Sequence, residues 1–462
     1  MNRSRLGNEI PARFFEAMPA IQRGRAQRRF DLASQPVYND ARVATATLFF
    51  LPPQDCFGVP PMRTVWTFHT AGSIVFGRNA LAHLGEVTRN LRAKRVLVIS
   101  DPILADAGLV DQVHGRLMEA GVEVEIFTGG EPEPSLNAAE ACAKLGHKVR
   151  PDAVVGLGGG SNMDLAKLTA TLLAYPGSPR RFFGDDQIPG PILPVICVPT
   201  TAGSGSEVSG AAVVTDTDNH VKVGILSNHL RPRAAVVDPS LTDSCPPKVT
   251  ADSGIDALTH AIEAYTAVDN ETFPLPPGER TIYQGRHPMG DMVAEKAISL
   301  VGQFLRRAVA DGKDKEARDG MALAALLGGM AFSNVGVALV HALEYPLGGA
   351  VHCSHGLGNG LLLPYVMEYN RPTRVPAFAR IAALLGVEVA GMTVDNAALQ
   401  AIEAVRKLRK DIGIPDRLSE LKVQESQLRG FAEKAFSIKR VCRVNPRVPS
   451  VGDLEGILRM AF

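Results

Sequence analysis

The stretch Ala153-Val-Val-Gly-Leu-Gly-Gly-Gly-Ser-Asn-Met-Asp-Leu-Ala-Lys167 reads as a short apolar strand that runs straight into a glycine turn and then a helix. Gly158, Gly159 and Gly160 let the backbone come close to a pyrophosphate, and the free N–H groups at the start of the next helix favour an anion. With Ser161 they are candidate cofactor contacts. The run is neither a GxGxxG nor a GxxxxGKS loop, so taken alone an ordinary tight turn explains it equally well.

The flanking segments repeat the same rhythm. Trp66 to Phe76 alternates as a hairpin would, Ala80 to Asn90 has helical spacing, and Arg95 onward is an apolar strand ending in the carboxylate of Asp101. A helix over 109–120, a strand over Val122 to Phe127 and a helix over Ser135 to Lys148 lead into Ala153; a strand over Ile192 to Val198 follows. This alternation predicts a parallel, Rossmann-like α/β sheet with helices on both faces. The last strand opens into Pro199-Thr-Thr-Ala-Gly-Ser-Gly-Ser-Glu207, whose hydroxyls and glycines suit the ribose, phosphate or nicotinamide of a dinucleotide. Asp101 is placed to accept from an adenosine ribose and would repel a 2′-phosphate, which favours NAD over NADP. Its other reading is a helix cap.

Beyond Val236-Val-Asp-Pro239 the pattern turns helical, over 251–266, 291–310, 315–332, 335–345, 358–368, 373–384, 394–409, 418–436 and 452–461. The first of these carries Asp256 and His260, four residues apart and so on one face, with Cβ atoms roughly 5–6 Å from each other. Stems that close can share one metal ion. His341, and His355 after a glycine-rich turn, are the best further ligands. One Asp with three His fits Fe²⁺ or Zn²⁺ better than Mg²⁺ or Ca²⁺. Each residue alone reads more readily as a surface helix pair or a satisfied core histidine. Together with the glycine loops they predict a metal and a cofactor meeting in a cleft between an α/β domain over 63–245 and an all-helical domain over 246–462.

Composition narrows the class. The 462 residues, 45% hydrophobic and 21% charged, suit a globular enzyme of two or three domains. A formal charge of +1 supplies no field for nucleic acid or a membrane surface, which leaves a small-molecule substrate. The most apolar run, Met321 to Phe332, is too short to span a bilayer. Six cysteines without paired spacing (Cys56, Cys142, Cys197, Cys245, Cys353, Cys442) suggest a reducing compartment, most simply the cytoplasm. Residues 1–62, with eight arginines, no lysine and five acids, read as a disordered extension or as upstream sequence before a natural start at Met62.

GGGS..D.AK at Gly158 to Lys167, PTTAGSGSE at Pro199 to Glu207, GIDALTHAIEAY at Gly254 to Tyr265, the His341/His355 pair and NPR at Asn445 to Arg447 carry a resemblance. From about Thr67 to Phe462 the chain resembles the iron-containing (group III) alcohol dehydrogenases. The resemblance implies a homodimer or larger assembly that moves hydride between NAD(P) and an alcohol or carbonyl. It implies metal ligation by Asp256, His260, His341 and His355, and pyrophosphate binding by Gly158, Gly159, Gly160, Ser161 and Asp164. It also implies cofactor contacts from Thr200, Thr201, Ser204 and Lys222, and ribose selection by Asp101. Three features depart from the family pattern: Tyr345 replaces a second His, Ser354 replaces a Pro, and Thr272 to His287 form an insert. Tyr345 and His352 are then the candidate proton relay. Tyr283 to Asp291 and Tyr345-Pro346 resemble the hydroxyacid-oxoacid transhydrogenase branch. The leading expectation is a metal-dependent oxidoreductase acting with NAD on a small alcohol, aldehyde or hydroxyacid. A transhydrogenase, a lyase similar to dehydroquinate synthase and a metal-stabilised assembly protein are the alternatives.

Overall fold

The computed structural model describes residues 63–219 and 221–462, so the expectations for 1–62 fall outside it. The first half contains β1 (Ile74–Phe76), α1 (Leu84–Asn90), β2 (Arg95–Ile99), α2 (Pro102–Asp106), α3 (Leu109–Glu119), β3 (Glu123–Phe127), α4 (Leu136–Val149), β4 (Ala153–Gly158) and α5 (Gly160–Ala174). It continues through β5 (Gly184–Asp185), β6 (Val195–Pro199), β7 (Ala211–Asp216), β8 (Val221–Leu226) and β9 (Ala234–Val237). Six of these strands form one parallel sheet in the order β1-β9-β6-β4-β2-β3. The chain winds outward from β2 to β3, then returns to the other side of β2, so the sheet's switch point lies between β2 and β4. In such sheets ligands bind outside the carboxyl ends of the strands at that point. Asp101 follows β2 and the glycine run follows β4, which puts both at this crevice.

Strand side chains alternate between the faces. Leu97 and Ile99 pack with α4 and α5 residues such as Cys142 and Leu165, whereas Val96 and Val98 pack with Val113 and Leu117 of α3. Burial on both faces explains the unbroken apolar run of β4. A small second sheet, β5-β8-β7, with β7 and β8 antiparallel, was not anticipated.

The hairpin expected over Trp66 to Phe76 does not form: only Ile74–Phe76 is a strand, and it pairs in parallel with β9. The preceding residues are held instead by side-chain amides that imitate a strand partner. Thr67 N–H donates to Gln284 Oε1 (2.8 Å) and Gln284 Nε2 donates to Thr67 O (2.8 Å). His69 N–H donates to Asn334 Oδ1 (2.7 Å) and Asn334 Nδ2 donates back to His69 O (2.9 Å).

After β9 the chain is helical: α6 (Pro247–Thr266), α7 (Pro288–Ala310), α8 (Lys315–Val335), α9 (Leu339–Val351), α10 (His355–Asn370), α11 (Val375–Leu384), α12 (Val394–Asp411), α13 (Leu428–Ser437), α14 (Lys439–Cys442) and α15 (Val451–Ala461). One apolar core joins them, and α6 is buried along most of its length. Among the described residues no single helix is long and apolar enough to cross a membrane. Sheet and helices meet through Val208, Ala235, Val237, Ala322 and Leu326. Arg231 clamps the same junction, donating to Val208 O (3.2 Å), Ser333 Oγ (2.8 Å) and Ser333 O (2.9 Å).

Candidate active site

Three helices bring the four candidate ligands together. Asp256 and His260 project from adjacent turns of α6, His341 lies in the first turn of α9, and His355 opens α10. One ligand atom each from Asp256, His260 and His341 falls within 4.8 Å of the others, and all three residues are buried. His355 faces the same place. The Asn359 amide nitrogen lies 2.8 Å from Asp256 Oδ1, 3.2 Å from His341 Nε2 and 3.2 Å from His355 Nε2. A carboxylate oxygen and two imidazole nitrogens converging on one point is the arrangement a divalent cation asks of its ligands. His260 Nδ1 is buried with no hydrogen-bond partner, a second mark of a site built for an ion.

The helix contacts are close because small residues sit at the crossings. A Cβ on Gly356, in the first turn of α10, would overlap the Asp252 carbonyl of α6, and Ser354 Oγ donates to Asp252 Oδ2 at 2.5 Å. His260 stacks between Phe332 (centroids 4.3 Å) and His341 (4.8 Å), so the ligand rings have little freedom. Carboxylates then orient them. Glu263 accepts from His341 Nδ1 (2.6 Å) and from the Ala338 and Val340 N–H groups (2.8 and 2.7 Å), which otherwise have no partner at the start of α9. Glu344 accepts from His355 Nδ1 at 2.5 Å.

The charges suit metal ligation. Burial pushes the Asp256 carboxyl up, but His260, His355 and His341 outweigh it and hold the group below the usual carboxylate value, so it is ionised. Burial lowers His260 to about 4, which leaves a neutral imidazole at pH 7. Burial also lowers His355, yet the Glu344 and Asp256 carboxylates override it and raise it to about 9. A metal must therefore displace a proton from His355.

The glycine loops converge on the same region. Gly158 pairs with Pro199 across β4 and β6, so the two loops leave adjacent strand ends. They touch: a Cβ on Gly160 would lie 2.9 Å from Ser204 Cβ, and one on Gly159 3.5 Å from Thr201 Oγ1. The second loop also reaches α6, where a Cβ on Gly203 would meet Ser253, three residues before Asp256. No side chain caps α5 at Gly159, which leaves the helix start available to an anion. Thr200 is buried and its N–H donates to Gly158 O (3.0 Å). Ser161 Oγ donates to Pro132 O.

Asp164 points inward, accepting from Ser206 Oγ (2.6 Å) and Val213 N–H (2.9 Å), with buried Lys167 at 3.6 Å. Asp101 caps α2 through Leu104 N–H (3.0 Å) and accepts from Asn162 Nδ2 (2.6 Å). Lys222, on β8, lies 2.5 Å from Glu133 and 4.0 Å from Glu344. Tyr345 stacks on His355 with centroids 6.0 Å apart. His352 is exposed in a left-handed conformation (φ 53°) at the end of α9.

Comparison with known proteins agrees with this geometry. Residues 71–239 match the family model for iron-containing alcohol dehydrogenase, and residues 279–462 match the C-terminal model of the Fe-containing alcohol dehydrogenase family. The chain belongs to the iron-containing alcohol dehydrogenase family. It is 35% identical to the NAD-dependent methanol dehydrogenase of Bacillus methanolicus over 84% of this chain and 97% of that one. It is 39% identical to long-chain-alcohol dehydrogenase 1 of Geobacillus thermodenitrificans, over 84% and 94%. The crystal structure of a 1,3-propanediol oxidoreductase superposes with a TM-score of 0.81 at 36% identity, over 86% of this chain and all 100% of the other. Family membership supersedes the lyase and the non-catalytic assembly protein considered from sequence. Two residues of the site, Glu344 and Asn359, are not among those the sequence motifs point to. Asn359 lies one helical turn after His355 and could have been found by that spacing; Glu344 stands eleven residues from His355, with nothing in the sequence to link them.

Proposed function

We propose that this family member oxidises or reduces a small alcohol–aldehyde pair with NAD, and that Asp256, His260, His341 and His355 hold its divalent iron or zinc ion. The observation that carries the ligand assignment is the convergence of Asp256, His341 and His355 on one point beside the unpartnered His260 Nδ1. A metal ion bound there would act as a Lewis acid on the substrate oxygen, and NAD would supply the hydride chemistry.

The chain's own residues provide the geometry. Gly158, Gly159, Gly160 and Ser161 at the start of α5 receive the pyrophosphate, and Thr200, Thr201, Ser204 and Lys222 complete the cofactor wall. Asp164 supports the second loop from behind through Ser206. Asp101 selects NAD over NADP: each of its oxygens has one protein partner, and a carboxylate oxygen can accept a second bond from a ribose hydroxyl. Tyr345 is the better-supported relay because its ring stacks on His355, although burial raises its phenol to about 12 and so makes it a weaker acid than a free tyrosine. His352, exposed at the helix end, is the other candidate. Residues 63–245 serve as the cofactor-binding domain and 246–462 as the metal-binding domain. The enzyme works as a cytoplasmic homo-oligomer; the free thiols of Cys142, Cys197, Cys245, Cys353 and Cys442 suit a reducing compartment.

The test is metal analysis of anaerobically purified protein together with NADH formation on primary alcohols, diols and hydroxyacids. One Fe or Zn per chain with turnover on free NAD is expected. Bound metal with turnover only when an oxoacid acceptor is added would replace this reading with the transhydrogenase. In the same assay Tyr345→Phe is expected to lower the rate and alter its pH profile; an unchanged profile removes Tyr345 from the relay.

A further inference from the structure

Glu344, on α9, is fully buried, with 0% of its surface exposed, and has His355 and Lys222 as neighbours. One oxygen accepts from His355 Nδ1 at 2.5 Å. The other has no hydrogen-bond partner and lies 4.0 Å from Lys222 Nζ, which is itself 2.5 Å from Glu133. The fold makes room for this carboxylate with two glycines. A Cβ on Gly348, one turn further along α9, would collide with the Glu344 carboxylate and approach Lys222 Nζ to 3.2 Å; a Cβ on Gly358 of α10 would come within 2.8 Å of Glu344 Cγ. Burying a carboxylate with an unmatched oxygen costs stability unless a charged partner repays it. Its partners here are a candidate metal ligand and a candidate cofactor contact.

We infer that Glu344 is a positioning residue that joins the two halves of the site, fixing His355 with Nδ1–H toward itself and Nε2 toward the metal, and holding Lys222 at the cofactor cleft. The inference rests on the metal assignment above. Glu344 does for His355 what Glu263 does for His341, so each of these two histidines has its own carboxylate. A carboxylate behind a ligand imidazole fixes the tautomer and raises its basicity, and losing such a partner typically weakens metal binding about 10–100-fold. Lys222 reaches the pair from β8, a strand of the small sheet, so the same carboxylate also ties that sheet to α9 and α10.

The experiment measures Zn²⁺ affinity by competition with a chromophoric chelator, and the visible d–d spectrum of Co²⁺-loaded protein, for wild type, Glu344→Gln, Glu344→Ala and His355→Ala. Glu344→Gln keeps the shape and an acceptor for Nδ1–H but loses the charge, so it decides the matter even where Glu344→Ala folds poorly. Zn²⁺ affinity about 10-fold weaker in Glu344→Gln, a larger loss in Glu344→Ala and shifted Co²⁺ bands in both are expected. Wild-type affinity and spectrum in Glu344→Gln and Glu344→Ala, with binding weakened in His355→Ala, overturn the role of Glu344 and leave the metal assignment standing. Undiminished binding in His355→Ala overturns the metal assignment and this inference with it.

Discussion

Glu207 ends the second glycine loop with a carboxyl group that is buried beside Lys167, and burial, only partly offset by its own backbone N–H and by Lys167, raises it to about 7. In the unfolded chain the same group titrates near its ordinary value of about 4.3. Between those two values the native protein holds a proton that the unfolded chain has released. The stability that comes with the neutral carboxyl is therefore complete below about pH 4.3 and is lost as pH rises through about 7, an effect on the order of 4 kcal/mol for a group this buried. Glu207→Gln is neutral at every pH, so its melting temperature should fall less than that of wild type between pH 5 and 8. Thermal melts of both proteins at pH 5, 6.5 and 8 check this, and parallel curves would show that Glu207 does not titrate in that window. Single residues also mark where sequence reasoning stops. Asp256 and His260 were legible because a helix fixes what lies four residues away, whereas the partners of Glu344 on α10 and β8 are set by packing alone.

Elements meet at this site through backbone, and one close approach joins the 199–207 loop to α8. Gly205 adopts φ +60°, and a Cβ there would strike the Gly329 Cα while lying 2.9 Å from Gly329 N and 3.1 Å from Ala325 O. Gly205→Ala thus adds a left-handed strain to a steric overlap, and a loss of about 2–4 kcal/mol is expected, with a higher KM for NAD because the loop must move. Gly329→Ala makes the same overlap from the helix side, where a Cβ would lie 2.7 Å from Gly205 Cα. Once one substitution has separated the elements, the second has room, so the double variant should lose less than the sum of the two. Strict additivity in urea unfolding of the two single variants and the double variant would show that the two glycines do not share one contact. Element type was legible where periodicity is strong and partners are local, as in β2 to α5. It failed at Trp66 to Ser73, where Gln284 and Asn334 supply the partner from 217 and 265 residues away. The helix expected over 335–345 instead spans Leu339–Val351, running through Pro346 with Leu347 and Gly348 buried in the packing.

At the scale of the molecule, the alternation of strand and helix up to residue 239 and the helical run beyond it made the two-part architecture legible before any coordinates. What alternation cannot give is which helices cross, and the site is made by that crossing. The proposed ligands come from α6, α9 and α10, and although His341 and His355 are close in sequence, a long stretch of chain separates them from Asp256 and His260, so an ion bound there would tie together elements that the unfolded chain keeps far apart. A ligand that binds only the folded state stabilises it by RT ln(1 + [L]/Kd), about 4 kcal/mol at a thousandfold excess over Kd. Chelator-treated protein should therefore melt at lower temperature than the same protein given Zn²⁺, or Fe²⁺ under anaerobic conditions, and the difference should grow with metal concentration. Asp256→Asn removes the one anionic ligand and is expected to abolish most of that rise without unfolding the metal-free protein, since Asn can still pair with Asn359. Differential scanning calorimetry of both proteins with and without metal makes the comparison. An equal rise in wild type and Asp256→Asn would mean that the ion responsible binds elsewhere, and the convergence around Asn359 would then be a polar packing arrangement of three helices instead of a metal centre.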